Sequence, residues 1–103
     1  MRTFAELFKK YRLRSEFETC SAFANALAQK GFFYEDSIFS HWQKGTRVPS
    51  NRLLLLAVVE IFLEKDAMRT SQEVNELLES TGTGYLTERE ADRLFPIDNT
   101  AQI

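Results

Sequence analysis

Asp36, Ser37, Ser40, His41 and Lys44 fall on one side of a helix predicted over roughly residues 35–43, and Ile38, Phe39 and Trp42 fall on the other. The polar side sets carboxylate, hydroxyl, imidazole and ammonium groups at helical spacing, a mixture that both donates and accepts hydrogen bonds. The apolar side is an anchor. This pattern suits recognition of a polar surface. The major groove of duplex DNA admits one α-helix, whose outer face near its N-terminus reaches base edges while its inner face holds it to the protein.

Catalysis has little to draw on. His41 is the only His and Cys20 the only Cys, so neither a His-rich metal site nor a Cys–His nucleophile pair is expected. No P-loop or dinucleotide fingerprint occurs, and Gly82-Thr83-Gly84 is too short a match for a phosphate cradle. The chain reads as no enzyme, with no cofactor and no metal.

A length of 103 residues, 44% hydrophobic and 27% charged, fits one globular domain. The longest apolar run, Leu53 to Val59, stops at Glu60 and resumes only for Ile61 to Leu63, well short of the ~20 residues that cross a bilayer. No membrane partner is expected. Residues 2–10 alternate charged with apolar side chains instead of forming a leader, and a lone Cys makes no intramolecular disulfide, so secretion is not expected either.

A net charge of −2 and a pI near 5.4 argue against a protein that coats nucleic acid indiscriminately, for which pI exceeds about 9. The average conceals two halves. Residues 1–52 hold nine Lys and Arg against five Asp and Glu, and residues 53–103 hold four against ten. One anion-facing surface would produce that asymmetry, and so would unevenly solvated helices.

The elements that must position the polar face all read as helices. Phe4, Leu7, Phe8 and Tyr11 form one stripe over residues 3–13, with Thr3 and Glu6 spaced as a capping box. Lys9, Lys10, Arg12 and Arg14 crowd the end of that helix, where cations suit the dipole. An Ala-rich second helix, begun at Thr19 or Ser21, pairs Phe23 with Leu27 and ends at Gly31. Phe32, Phe33 and Tyr34 then form a turn whose rings are expected on the core. Gly45 stops the third helix. A fourth opens at Pro49 and Ser50 and is apolar all round from Leu53 to Val59, so it is central, or covered by a second copy of the chain. Thr70 with Glu73 and Thr87 with Glu90 box two further helices, the first carrying Val74, Leu77 and Leu78, the second ending before Pro96.

The second and third helices, joined by a Gly-containing turn, resemble a helix-turn-helix. Phe23-Ala24, followed by Ser40-His41-Trp42-Gln43-Lys44-Gly45-Thr46-Arg47-Val48-Pro49, resembles the Cro and phage-repressor-like proteins, the XRE family, over about residues 3–64. Two departures stand out. Gln43 replaces the usual Glu, and the stretch between Phe23 and Trp42 is several residues longer than in compact phage repressors.

The resemblance implies an all-α, five- to six-helix lambda-repressor-like domain. Its helix-turn-helix core is residues 1–68, its helical extension residues 69–96, and a tail or linker start residues 97–103. It implies base contacts from Asp36, Ser37, Ser40 and His41. Phosphate contacts fall to Lys44, Thr46, Arg47, the basic end of the first helix, and Thr19, Cys20 and Ser21 at the N-terminus of the second. Phe23, Ala24, Ile38, Phe39 and Trp42 are implied as anchors. Glu35 reads first as a cap that complements the helix dipole, whereas Asp36 reads equally as that or as an acceptor for cytosine N4. His41 reads as a base or phosphate contact or as an ordinary half-exposed residue.

The expectation is sequence-specific binding of double-stranded DNA by a prokaryotic or phage transcriptional regulator, a repressor, in the nucleoid-associated cytoplasm. Family members commonly act as two-fold homodimers on half-sites about 34 Å apart. The alternative is a protein-interaction module of the same fold, the N-terminal part of a larger regulatory chain, whose acidic C-terminal half binds another protein.

Overall fold

The computed structural model describes residues 2–95 and is all-α: α1 (Phe4–Arg14), α2 (Cys20–Ala28), α3 (Asp36–Lys44), α4 (Arg52–Glu64), α5 (Ser71–Ser80) and α6 (Glu88–Leu94). Pro96 and the 97–103 tail lie outside the described residues. No strand occurs among the described residues. This architecture is compatible with a small helix-turn-helix-like domain.

Local chemistry starts and stops these helices. Thr3, Thr70 and Thr87 each accept from the amide of Glu6, Glu73 and Glu90, and each Glu reaches back, so all three expected capping boxes form. Thr19 accepts from the Ala22 amide at the start of α2. Helix α2 loses regular geometry at Ala28, yet Gly31, at φ 95°, closes it: Phe32 N donates to Leu27 O and Gly31 N to Ala28 O, a Schellman motif. Helix α4 starts later than expected. Asn51 caps it by accepting from Leu54 N, which leaves Pro49 and Ser50 in the preceding loop.

The core is an aromatic cluster centred on Phe8. Its ring lies 5.1 Å from Phe23, 5.4 Å from Trp42, 5.8 Å from Phe4, 6.3 Å from Phe62 and 6.5 Å from Phe39. Each such pair adds roughly 0.5–1.5 kcal/mol beyond the area it buries, so α1, α2, α3 and α4 are tied together through one residue. Val74, Leu77 and Leu78 of α5 join the same buried set. Leu54 to Val59 of α4 are buried by the chain itself, so of the two alternatives α4 is the central helix; Leu53, at 66% exposure, is left outside.

The turn before α3 departs from expectation. Phe32 is half-buried against the core, but Phe33 is 79% exposed and Tyr34 is 38% exposed. The amide of Phe32 is bound to the end of α2, and the chain then opens toward Glu35 (φ −73°, ψ 150°), so the next ring is carried away from the core.

Much of the charge asymmetry is neutralised inside the molecule. Arg14 lies 3.7 Å from Glu73, Lys30 lies 2.9 Å from Glu64 and 3.4 Å from Glu60, and Arg52 lies 2.6 Å from Glu90. The Arg52 guanidinium also donates to the carbonyls of Thr83, Gly84 and Tyr85, clamping the α5–α6 loop onto the start of α4. Its two bonds to Glu90 hold that carboxyl down at about pKa 2, helped by the Thr87 amide. Basic and acidic halves therefore dock on each other.

Candidate functional site

Helix α3 owes its position to its inner face. Phe39 and Trp42 are buried, 4.9 Å apart and edge-on, while Phe23 meets Phe39 at 5.4 Å and Phe4 meets Trp42 at 5.8 Å. Ala24 is buried in α2 as part of the same core cluster. Ile38 is only half-buried, because it lies at the edge of α3 beside the exposed turn. The anchors expected from the sequence are thus Phe23, Ala24, Phe39 and Trp42, with Ile38 a partial one.

Arg12 is the main correction at the basic end of α1. Only 6% exposed, it donates from Nε to Gln43 Oε1 at 2.7 Å and from a terminal nitrogen to Phe17 O at 2.6 Å. A buried guanidinium needs partners for its donors, and Gln43 supplies one without a charge. Arg12 therefore holds α3 to α1 and does not present itself to a phosphate. Arg14 and Lys10 lie 5.8 Å and 5.1 Å from the centroid of the Tyr11 ring and Arg14 also faces Glu73, whereas Lys9 is exposed and neither lysine enters an ion pair among the described residues, so this helix end keeps Lys9 and Lys10 for an anion.

The outer face is open. Asp36, Ser37, His41 and Lys44 are exposed and Ser40 is half-exposed. Glu35 stands at the N-cap position, yet its side chain makes no capping bond, so the reading of Glu35 as a side-chain cap is corrected. Gly45, at φ 77°, ends α3 with the amides of Gly45 and Thr46 on the carbonyls of Trp42 and His41. A Cβ there would lie 3.9 Å from that of Ala5, an ordinary contact, so the left-handed backbone and not crowding calls for glycine.

His41 and Thr46 are joined twice. The Thr46 hydroxyl donates to the His41 carbonyl at 3.2 Å and lies 2.9 Å from His41 Nδ1. Either imidazole tautomer satisfies the Nδ1 contact with Thr46 Oγ1, and in both Nε2 is the ring nitrogen left free. Thr46 is thereby a positioning residue for His41, its own oxygen largely used.

Arg47 and Lys44 are exposed, and neither enters any of the six ion pairs found among the described residues. Ser37, His41 and Arg47 share one shallow groove with Phe33, Tyr34 and Glu35. The structure thus brings three of the expected contact residues together and adds two aromatic rings that sequence reasoning had assigned to the core. The signal was the lengthened α2–α3 turn with three successive aromatics. Asp36, Ser40 and Lys44 lie on the same helix outside that groove's lining.

At the start of α2, Thr19 and Ser21 are exposed, but the Thr19 oxygen is occupied by the Ala22 amide and the Cys20 side chain packs inward. What this helix end presents outward is its first amides, whose donors lack intrahelical acceptors. The charge along α3 is bipolar, with Glu35 and Asp36 at its N-terminal end and Lys44 with Arg47 at and beyond its C-terminal end.

No three His, Cys, Asp or Glu side chains are grouped to hold a metal ion among the described residues, and none of their helices is long and apolar enough to cross a membrane. No protein-family model, curated protein or solved structure matches the chain.

Proposed function

We propose that the chain binds double-stranded DNA, laying α3 in a major groove and acting as a transcriptional regulator of the Cro and phage-repressor-like kind. The observation that carries this reading is the division of α3: Phe39 and Trp42 hold it from beneath while Asp36, Ser37, Ser40 and His41 stand outward along a single slim helix. Lys44 and Arg47, unpaired at its end, supply the phosphate contacts; Asp36 and Ser37, near its start, and His41, through Nε2, face the base edges.

The internal pairing of the two halves supports a domain that is acidic overall yet binds DNA, because Glu60, Glu64, Glu73 and Glu90 are held by the chain's own cations. Glu76, Glu79, Glu88 and Asp92 are exposed and enter none of these pairs, so an acidic surface remains for the alternative reading in which that half captures a protein partner. Repression, a prokaryotic or phage setting and a two-fold dimer belong to the proposal through the sequence resemblance.

An anisotropy titration of the chain against random duplex DNA at rising salt tests it. Affinity is expected to fall with a log–log slope of about −0.9 per neutralised phosphate, and replacing both Lys44 and Arg47 by Ala is expected to reduce the magnitude of that slope by about 2. Absence of binding at micromolar protein and low salt, or a slope unchanged in the double variant, overturns the proposal.

A further inference from the structure

Phe33 is exposed on a turn whose backbone is fixed at both ends. Its turn is closed at one end by the Gly31 amide on Ala28 O at 2.9 Å and the Phe32 amide on Leu27 O at 3.2 Å, and at the other by the start of α3, where Ile38 N donates to Glu35 O at 3.1 Å. Only Phe33 and Tyr34 lie between the bound Phe32 amide and the Glu35 carbonyl, so the backbone of Phe33 is fixed just before α3 and its exposed ring lines the groove with Ser37 and His41.

An exposed aromatic residue standing alone on a surface needs no explanation. This one stands beside two carboxylates, Glu35 and Asp36, at the tip of the helix that the proposed function places in the groove. Carboxylates and a phenyl ring are poor company for phosphates, and the one cation lining the same groove, Arg47, comes from the loop after α3. Base edges suit both: carboxylates accept from cytosine N4, and the thymine 5-methyl is the apolar group that the major groove presents.

We infer that Phe33 is a specificity-determining residue that packs against a thymine methyl next to the bases faced by α3. The inference rests on the reading of α3 as a groove-entering helix, and it deepens that reading by naming the sequence feature that the lengthened turn selects.

The test starts from a duplex selected by the full chain out of a random pool, in which each thymine is replaced in turn by deoxyuracil, removing the methyl and leaving the pairing edge. One replacement is expected to weaken the unmodified chain about fourfold, the worth of one buried methyl, and to leave Phe33→Ala unaffected. Phe33→Ala is expected to lose about tenfold on the selected duplex and under about twofold on random DNA, with Phe33→Leu retaining most of the affinity. Its melting temperature is expected to be unchanged, since the ring is 79% exposed. If binding is salt-sensitive but Phe33→Ala and the unmodified chain respond alike to every replacement, the role of Phe33 is refuted and the α3 reading survives. If the chain shows no salt-sensitive binding to any duplex, both fall together.

Discussion

Replacing Glu90 by Gln tests the clamp that holds the C-terminal helix to the start of α4. The carboxylate receives two bonds from Arg52, at 2.6 and 3.1 Å, and its pKa falls from 4.5 to about 2, first because of the Arg52 hydrogen bond and then because of the Thr87 amide, against the opposing effect of burial. Linkage converts a fall of that size into about 3 kcal/mol, and the partial exposure of the pair, 27% and 20%, screens it to about 1–2 kcal/mol. Because the folded value is depressed, this stability is fully present above the unfolded value of 4.5 and is lost as pH falls toward 2. Gln keeps an oxygen for the Thr87 capping box and one Arg52 bond, but it sets an amide NH2 against Arg52 Nε, so the substitution removes the charge together with the second Arg52 bond. Thermal melts followed by circular dichroism at pH 7 are expected to show Glu90→Gln roughly 5–10 °C below the unmodified chain, the gap closing toward pH 2. A variant that melts with the unmodified chain at pH 7, or a gap that is the same at pH 7 and pH 2, would refute the reasoning.

Three further outcomes are expected. Trp42→Ala, which leaves a cavity beneath α3 against Phe4, Phe8 and Phe39, costs ~3–5 kcal/mol in urea unfolding and removes much of the folded population. Gln43→Glu gives buried Arg12 a charged partner and raises stability at pH 7 by about 1 kcal/mol, an advantage that disappears as acid protonates the introduced carboxylate; urea midpoints at pH 7 and pH 3 measure it. His41→Ala and Asp36→Ala each cost ~1–3 kcal/mol on a selected duplex and little on random DNA in anisotropy titrations, whereas equal losses on both would make them positioning residues only.

Much of the fold was legible in the sequence because it is written over three or four residues. The Thr3–Glu6, Thr70–Glu73 and Thr87–Glu90 boxes, the stops at Gly31 and Gly45, and the stripe of Phe4, Leu7, Phe8 and Tyr11 need only helical spacing and backbone hydrogen bonding. The outward set Asp36, Ser37 and His41 follows from the same period once Phe39 and Trp42 are taken as the buried side.

Tertiary structure decided what depends on partners some thirty residues away. Arg12, read from the sequence with the basic end of α1 as a phosphate contact, turned inward to meet Gln43, while Lys30 reached Glu60 and Glu64 and Arg52 closed on Glu90 and the 83–85 carbonyls, pairings that no local spacing announces. The Phe32–Tyr34 run shows the same limit for apolar side chains: hydrophobicity predicts burial for all three, but the core near α2 covers Phe32 and leaves Phe33 outside. Helical period says which way a side chain points along its own element; whether a cation or a ring that leaves its element meets a partner is set by how the elements pack.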